Sequence, residues 1–130
     1  MKIRVYYEDT DVGGVVYHAN YLKFCERARS ESFFERGLSP IMERGHFVIR
    51  HIDALYLASA KLGDMVHIST QLIEFKKASF KLHQEVFRDD VKLFEMDITI
   101  VYLDFEGNIQ IFDDASRELL GSLFNQVQDI

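Results

Sequence analysis

Three carboxylates, Glu8, Asp9 and Asp11, fall within four positions, and the paired glycines Gly13 and Gly14 follow them. Acids in a loop are ordinarily solvated, and an aspartate there often does no more than cap a helix. The residues that come next favour chemistry instead. Adjacent glycines permit unusual backbone angles and the close approach of another group. Val15, Val16 and Tyr17 then lead into a helical pattern, and the first amides of a helix have no internal acceptor. Such amides, at the positive end of the helix dipole, favour a developing negative charge. A carboxylate beside them suits a nucleophile or a general base. Acid and amides together would attack and polarise a carbonyl, which makes the loop a candidate for acyl transfer, with a plain acidic turn as its rival.

Other reactive residue types carry less. His18 stands near the helix start, as a structural residue, a substrate-positioning group or a proton partner of Asp11. His46, His51, His67 and His83 show no metal-ligand spacing, and neither HExxH nor CxxC occurs. Strand or surface roles are expected for them, and no metal. Cys25 is the single cysteine, so it forms no internal disulfide, and its place among apolar helix positions predicts a buried structural thiol.

The elements that must position these groups are legible from periodicity. Residues 2–7 alternate as a strand, with Ile3, Val5 and Tyr7 on one face. A helix is predicted from about Val15 or Asn20 to Arg36, because Tyr21, Phe24, Cys25, Ala28 and Ser32 recur at helical spacing. Arg27 and Glu31 are placed to pair on its wetter side, and the helix ends before Pro40. Beyond it the period becomes two. Strands are predicted over His46–Leu57, Asp64–Phe75, Ser79–Arg88 and Lys92–Leu103, with Phe94, Met96, Ile98, Ile100 and Tyr102 on one face of the last. The breaks at Lys76–Ala78 and Asp89–Val91 suit antiparallel hairpins. Asp113–Phe124 reads as a short closing helix with Asp114 as a candidate cap and Leu119, Leu120 and Leu123 apolar. The expected class is α+β, one antiparallel sheet curved over one long helix, in a single domain spanning 1–130.

Composition narrows the function. A net charge of −6 argues against nucleic-acid binding, which needs a basic surface. The N-terminus is too polar for a signal peptide, and no apolar run reaches the roughly 18–20 residues of a membrane span. A cytoplasmic protein without a transmembrane segment is expected, with attachment to the inner membrane left to a partner.

The run from Tyr6 to Arg29 resembles the 4-hydroxybenzoyl-CoA thioesterase family of hotdog-fold proteins, and within it the bacterial branch associated with the Tol–Pal system. The match is carried by Tyr6-Tyr7-Glu8-Asp9-Thr10-Asp11, Gly13-Gly14-Val15-Val16-Tyr17-His18, Asn20-Tyr21-Leu22, Phe24 and Glu26-Arg27-Ala28-Arg29. Weaker similarity continues through Phe47-Val48-Ile49-Arg50, Tyr56, Ala60, Gly63 and Asp64. The resemblance implies a hotdog fold, a homodimer or homotetramer with active sites at subunit interfaces, and hydrolysis of acyl-CoA without a cofactor. It places Asp11 as the catalytic carboxylate and the main-chain amide at His18 as the oxyanion donor, with Gly14, Val15 and Tyr17 positioning the substrate. Glu8 and Asp9 then shape the loop. Lys76, Lys77 and Ser79 correspond to a region that contacts CoA phosphates in relatives, against the plain reading of a solubilised turn. Glu26, on the helix, is a second candidate acid, with an ion pair to Arg29 as its alternative; the intact D-x-D pair favours Asp11. Ser59 departs from the family, where a proline commonly precedes the alanine at Ala60. Acyl carrier protein and phospholipid-synthesis enzymes are the further partners implied. Two rival functions remain: a non-catalytic scaffold that binds acyl-CoA or acyl carrier protein, and a hydratase or dehydratase on the same fold, for which His18 and Glu26 would be a poor pair.

Overall fold

The computed structural model describes residues 1–124. Its elements are β1 (Lys2–Arg4), a 3-10 turn (Tyr7–Asp9), α1 (Asn20–Phe34), β2 (His46–Tyr56), β3 (Met65–Phe75), β4 (Ser79–Arg88), β5 (Val91–Leu103) and α2 (Asp114–Phe124). The strands form one antiparallel sheet in the order β1-β3-β4-β5-β2. Short turns make β3, β4 and β5 successive neighbours, while β2 crosses to the far edge beside β5.

Alternation decides which face of the sheet meets the helix. Phe94, Met96, Ile98, Ile100 and Tyr102 of β5 are buried together with Phe80, Leu82 and Val86 of β4 and with Val66 and Ile68 of β3. Against them α1 lays Tyr21, Phe24, Cys25, Ala28 and Phe33. One polar residue shares that inward face. Gln84 is fully buried; its Nε2 donates to the Cys25 carbonyl and to Thr70 Oγ1, each at 3.0 Å. Its Oε1 accepts from Arg29 Nη1 at 2.9 Å. A buried amide left unpaired costs about 1–3 kcal/mol, so these bonds tie α1 to β3 and β4 in one register.

Several local expectations give way to tertiary packing. The first strand ends at Arg4, and Tyr7 is 82% exposed because the chain turns into the 3-10 segment. The long helix starts at Asn20 and stops at Phe34, short of Arg36. Its end is set by Gly37, at φ +70: the Leu38 amide reaches the Phe33 carbonyl and the Gly37 amide the Phe34 carbonyl, a pairing that needs a left-handed residue. Arg27 and Glu31 form no ion pair among the described residues, and neither do Glu26 and Arg29; Glu26 accepts a bond from Ser30 instead. The cap of α2 is Asp113 rather than Asp114, with Oδ1 accepting the Ser116 amide at 2.7 Å. The Ser116 side chain, and then its amide, hold the Asp113 carboxyl below its usual range.

His67, on β3, stacks flat on Phe87, and its buried Nε2 has no partner among the described residues. Burial and the nearby N-terminal amine hold its pKa below the ordinary imidazole value. The unfolded chain takes up this proton near pH ~6.5, while the folded chain resists it. The His67 contribution to stability should therefore fall as pH drops through that value and level off below the depressed folded pKa. Denaturant titrations from pH 7.5 to 5 should show the slope, and His67→Phe should flatten it; an unchanged slope would remove His67 as its source.

Candidate active site

Local hydrogen bonds build the acid loop and give its carboxylates different positions. Asp9 is buried; its Oδ2 accepts the Tyr6 amide at 2.9 Å. Its carbonyl receives the Tyr17 amide and the Asn20 side-chain amide, both at 2.9 Å. Asp9 therefore shapes the loop and joins it to the first residue of α1. Asp11 is exposed. Its Oδ1 accepts the Gly13 amide at 2.8 Å, and its main chain exchanges bonds with Val15 and Gly14. Gly14 sits at φ +80, where a side chain would be strained. This turn holds one oxygen of the Asp11 carboxylate toward the backbone.

A second segment clamps the loop from outside. Val15 bridges to Lys61, and the Val16 amide donates to the Ala60 carbonyl at 2.9 Å. The Ala60 amide donates to Tyr21 Oη at 3.0 Å, and Arg88 holds the Ser59 carbonyl at 2.9 Å and Asp64 Oδ2 at 3.1 Å. The stretch in which Ser59 replaces the usual proline is thus fixed from both sides.

These contacts narrow the choice of amides. Those of Gly14, Val16 and Tyr17 are occupied. The amide of His18 has no acceptor among the described residues. The carbonyl of His18 accepts Tyr56 Oη at 2.9 Å, and its ring lies beside those of Tyr17 and Tyr56, with centroids 4.4 and 6.2 Å away. Ala19 precedes the helix with no side-chain cap, so the positive end of α1 is open beside the acid loop. Tyr21 and Tyr56 hold their protons more tightly than free phenols because burial disfavours the anion.

Asp11, Gly14, Val15, Tyr17 and His18 therefore lie on one hydrogen-bonded loop that leads into α1. Lys76, Lys77 and Ser79 do not join them. They lie at the β3–β4 turn, whereas the acid loop contacts Lys61, at the other end of β3. An 11-residue strand separates the two by about 35 Å. An apolar cavity of about 730 Å³ is likewise remote from the loop: it lies under the second half of α1, against Phe33, Phe47, Phe80 and Phe124. Arg29, the binding partner of Gln84, also lines it; burial lowers the Arg29 pKa. Gln84 carries no signal in the sequence, and Tyr56 and Ala60 show only a place in the weaker family similarity, because their partners lie far along the chain.

Cys25 is fully buried, and burial pushes its thiol up to about 12. Thiolate is the reactive form, so the native protein should resist iodoacetamide at pH 8 and take up one equivalent once unfolded. Rapid labelling of the native protein, read by mass, would contradict the buried assignment.

The five-stranded antiparallel sheet over one long helix is the hotdog fold, and a probable thioesterase from Bartonella henselae shares it with a TM-score of 0.82. That structure is 29% identical, covering 87% of this chain and 97% of that one. The chain belongs to the thioesterase superfamily, whose sequence model matches residues 13–95. Among its relatives, the acyl-CoA thioesterase YbgC of Helicobacter pylori is 55% identical over 87 residues, which are 67% of this chain and 65% of that protein's length. The acyl-CoA thioester hydrolase YbgC of Escherichia coli is 40% identical over 106 residues, 78% of this chain and 79% of that one.

Proposed function

We propose that the protein hydrolyses the thioester of acyl-CoA to a free acid and CoA, with Asp11 as the acting carboxylate and the His18 amide as oxyanion donor. The observation that carries this reading is the unaccepted His18 amide at the start of α1, in the same small structure as the exposed Asp11. Asp11 either attacks the thioester carbon or takes a proton from the water that does. Both routes move an electron pair onto the carbonyl oxygen, where an amide donor typically contributes ~10²–10³ in kcat. Collapse of that oxyanion expels CoA as thiolate, which leaves the free acid where water attacked and an acyl anhydride of Asp11 where the carboxylate did. A second water hydrolyses that anhydride to the acid and restores Asp11. The relatives named as acyl-CoA thioesterases support the substrate class.

The reading includes a homodimer formed along β2. One sheet edge, β1, has three residues; the other, β2, has eleven and exposes Val48, Ile49, Ile52, Leu55 and Tyr56. A long apolar edge with unpaired backbone groups seeks another strand. Antiparallel pairing of β2 with its copy brings the His46 end of one protomer beside the Tyr56 end of the other. Phe47, Val48 and Ile49 line the apolar cavity, and Tyr56 holds His18. The acyl group attached at one protomer's loop then faces the cavity of its partner, and the β3–β4 turn of that partner is brought nearer the CoA end. Lys76 and Lys77 would serve the phosphates in this way. Lys76→Ala/Lys77→Ala should raise KM for CoA esters with kcat kept; an unchanged KM would remove them from the site.

No helix among the described residues is long and apolar enough to cross a membrane, so an inner-membrane role would run through partners such as phospholipid-synthesis enzymes or acyl carrier protein. The test of the proposed function is thiol release over short, long and aromatic acyl-CoAs, with water addition to an enoyl-CoA as a parallel assay. Turnover of acyl-CoA is expected. Binding without thiol release would favour the scaffold, and enoyl-CoA hydration without thiol release would favour the hydratase.

A further inference from the structure

The sheet face turned away from α1 carries a cluster that the hydrolytic reading does not use. With Leu82, Gln84 and Val86 of β4 and Phe94, Met96 and Ile98 of β5 facing the helix, alternation sends His83, Glu85, Glu95 and Asp97 outward. The strand register sets His83 opposite Asp97 and Glu85 opposite Glu95. Like charges directly across a strand pair repel, so the two glutamates need a cation between them. Lys92 supplies one: its Nζ bonds Glu85 and lies 3.2 Å from Glu95 Oε2.

The remaining geometry is that of a metal ligand set. His83 Nδ1 lies 2.7 Å from Asp97 Oδ1, so a metal ion that displaces the Nε2 proton facing Glu85 would meet an imidazole whose Nδ1 proton is held by the carboxylate. A carboxylate behind a histidine in this way is the usual support of a metal-binding imidazole. Nε2 faces Glu85 Oε2 at 3.4 Å and Glu95 Oε2 at 3.7 Å, and the three atoms lie within 4.8 Å of one another. Ligand atoms ~2.1 Å from a tetrahedral zinc ion stand about 3.4 Å apart, so little movement is needed. All the ligands sit on paired strands, and a cavity of about 240 Å³ beside His83, Glu95 and Asp97 leaves room for water to complete the coordination.

We propose that His83, Glu85 and Glu95 form a site for a divalent transition-metal ion such as zinc, and that Lys92 is the latch it displaces. The imidazole selects against magnesium, which prefers an all-oxygen octahedron. Lys92 is a long side chain near the β4–β5 turn and about one-third exposed, so it can swing into solvent. Because the cluster lies on the sheet face opposite the helix, the site stands or falls independently of the thioesterase reading.

The experiment is zinc titration of the full-length, chelator-treated protein against a chromophoric chelator, repeated with magnesium alone. One zinc per chain is expected, with no binding of magnesium. Lys92→Met should bind zinc about 10-fold tighter than the parent, since the competing ammonium is gone. Asp97→Asn, which keeps the shape, should bind it about 10–100-fold more weakly through loss of the supporting carboxylate, and His83→Gln should abolish the stoichiometric site. Circular dichroism confirms that each variant is folded. Zinc bound by His83→Gln as tightly as by the parent, or no saturable zinc in folded Lys92→Met, would overturn the site and leave His83 in a plain ion-pair network.

Discussion

Asp11→Asn is expected to lower kcat for acyl-CoA hydrolysis about 100- to 10,000-fold, the usual contribution of a positioned acid or base, with the fold intact. That range corresponds to about 3–5 kcal/mol of lost transition-state stabilisation. The reason for expecting a clean effect is structural. The Asp11 side chain is exposed, and its hydrogen bond is to the Gly13 amide, which an asparagine oxygen accepts equally well. The neighbouring main-chain bonds, from the Asp11 amide to Val15 and from Gly14 to the Asp11 carbonyl, do not involve the side chain. The substitution thus removes the charge while preserving the turn. KM should stay near the parental value, since the interaction lost belongs to the transition state, and thermal unfolding should be unchanged. Parental turnover by Asp11→Asn would exclude Asp11 as the acting acid and turn attention to Glu26.

The second large effect concerns β2. Ile52→Lys should yield a monomer in size-exclusion chromatography and lower kcat/KM about 100-fold, because a site shared between protomers tolerates little misplacement of its halves. Ile52 pairs with Ile98, an inward-facing residue, and is 37% exposed. A charge pointing inward on an edge strand is the device by which native sheets block edge pairing. A complementary measurement identifies which protomer supplies what. Mixed dimers of Asp11→Asn with Lys76→Ala/Lys77→Ala retain one site with both groups native if the lysines act across the interface. Their activity at low substrate should then exceed that of either parent variant. An active, monomeric Ile52→Lys protein would show that one chain suffices, and the cavity in the partner would lose its role.

The two tests rest on different kinds of information. Sequence by itself determined the order of elements, because alternation and helical spacing are local properties. Phe94 to Tyr102 face inward as their period requires, and α1 buries the Tyr21, Phe24, Cys25 and Ala28 stripe. It also located the acid loop and the helix start beside it, since Asp11, Gly14 and His18 are close in the chain. Tertiary structure decided which groups are left over for chemistry. The amides of Val16 and Tyr17 are taken by Ala60 and Asp9, while that of His18 is among those without an acceptor in the described residues. Glu26 and Arg29, a natural pair on a helix, form no ion pair among the described residues: Arg29 donates to the buried Gln84, and Glu26 accepts from Ser30. Lys76 and Lys77, expected at the site, stand a full strand away from Asp11. His83 shows no ligand spacing in the sequence, because Glu95 meets it only across the turn between β4 and β5. Spacing along a chain specifies which face a residue takes; which groups then meet on that face depends on the register of strands and on the burial of groups that cannot remain unpaired.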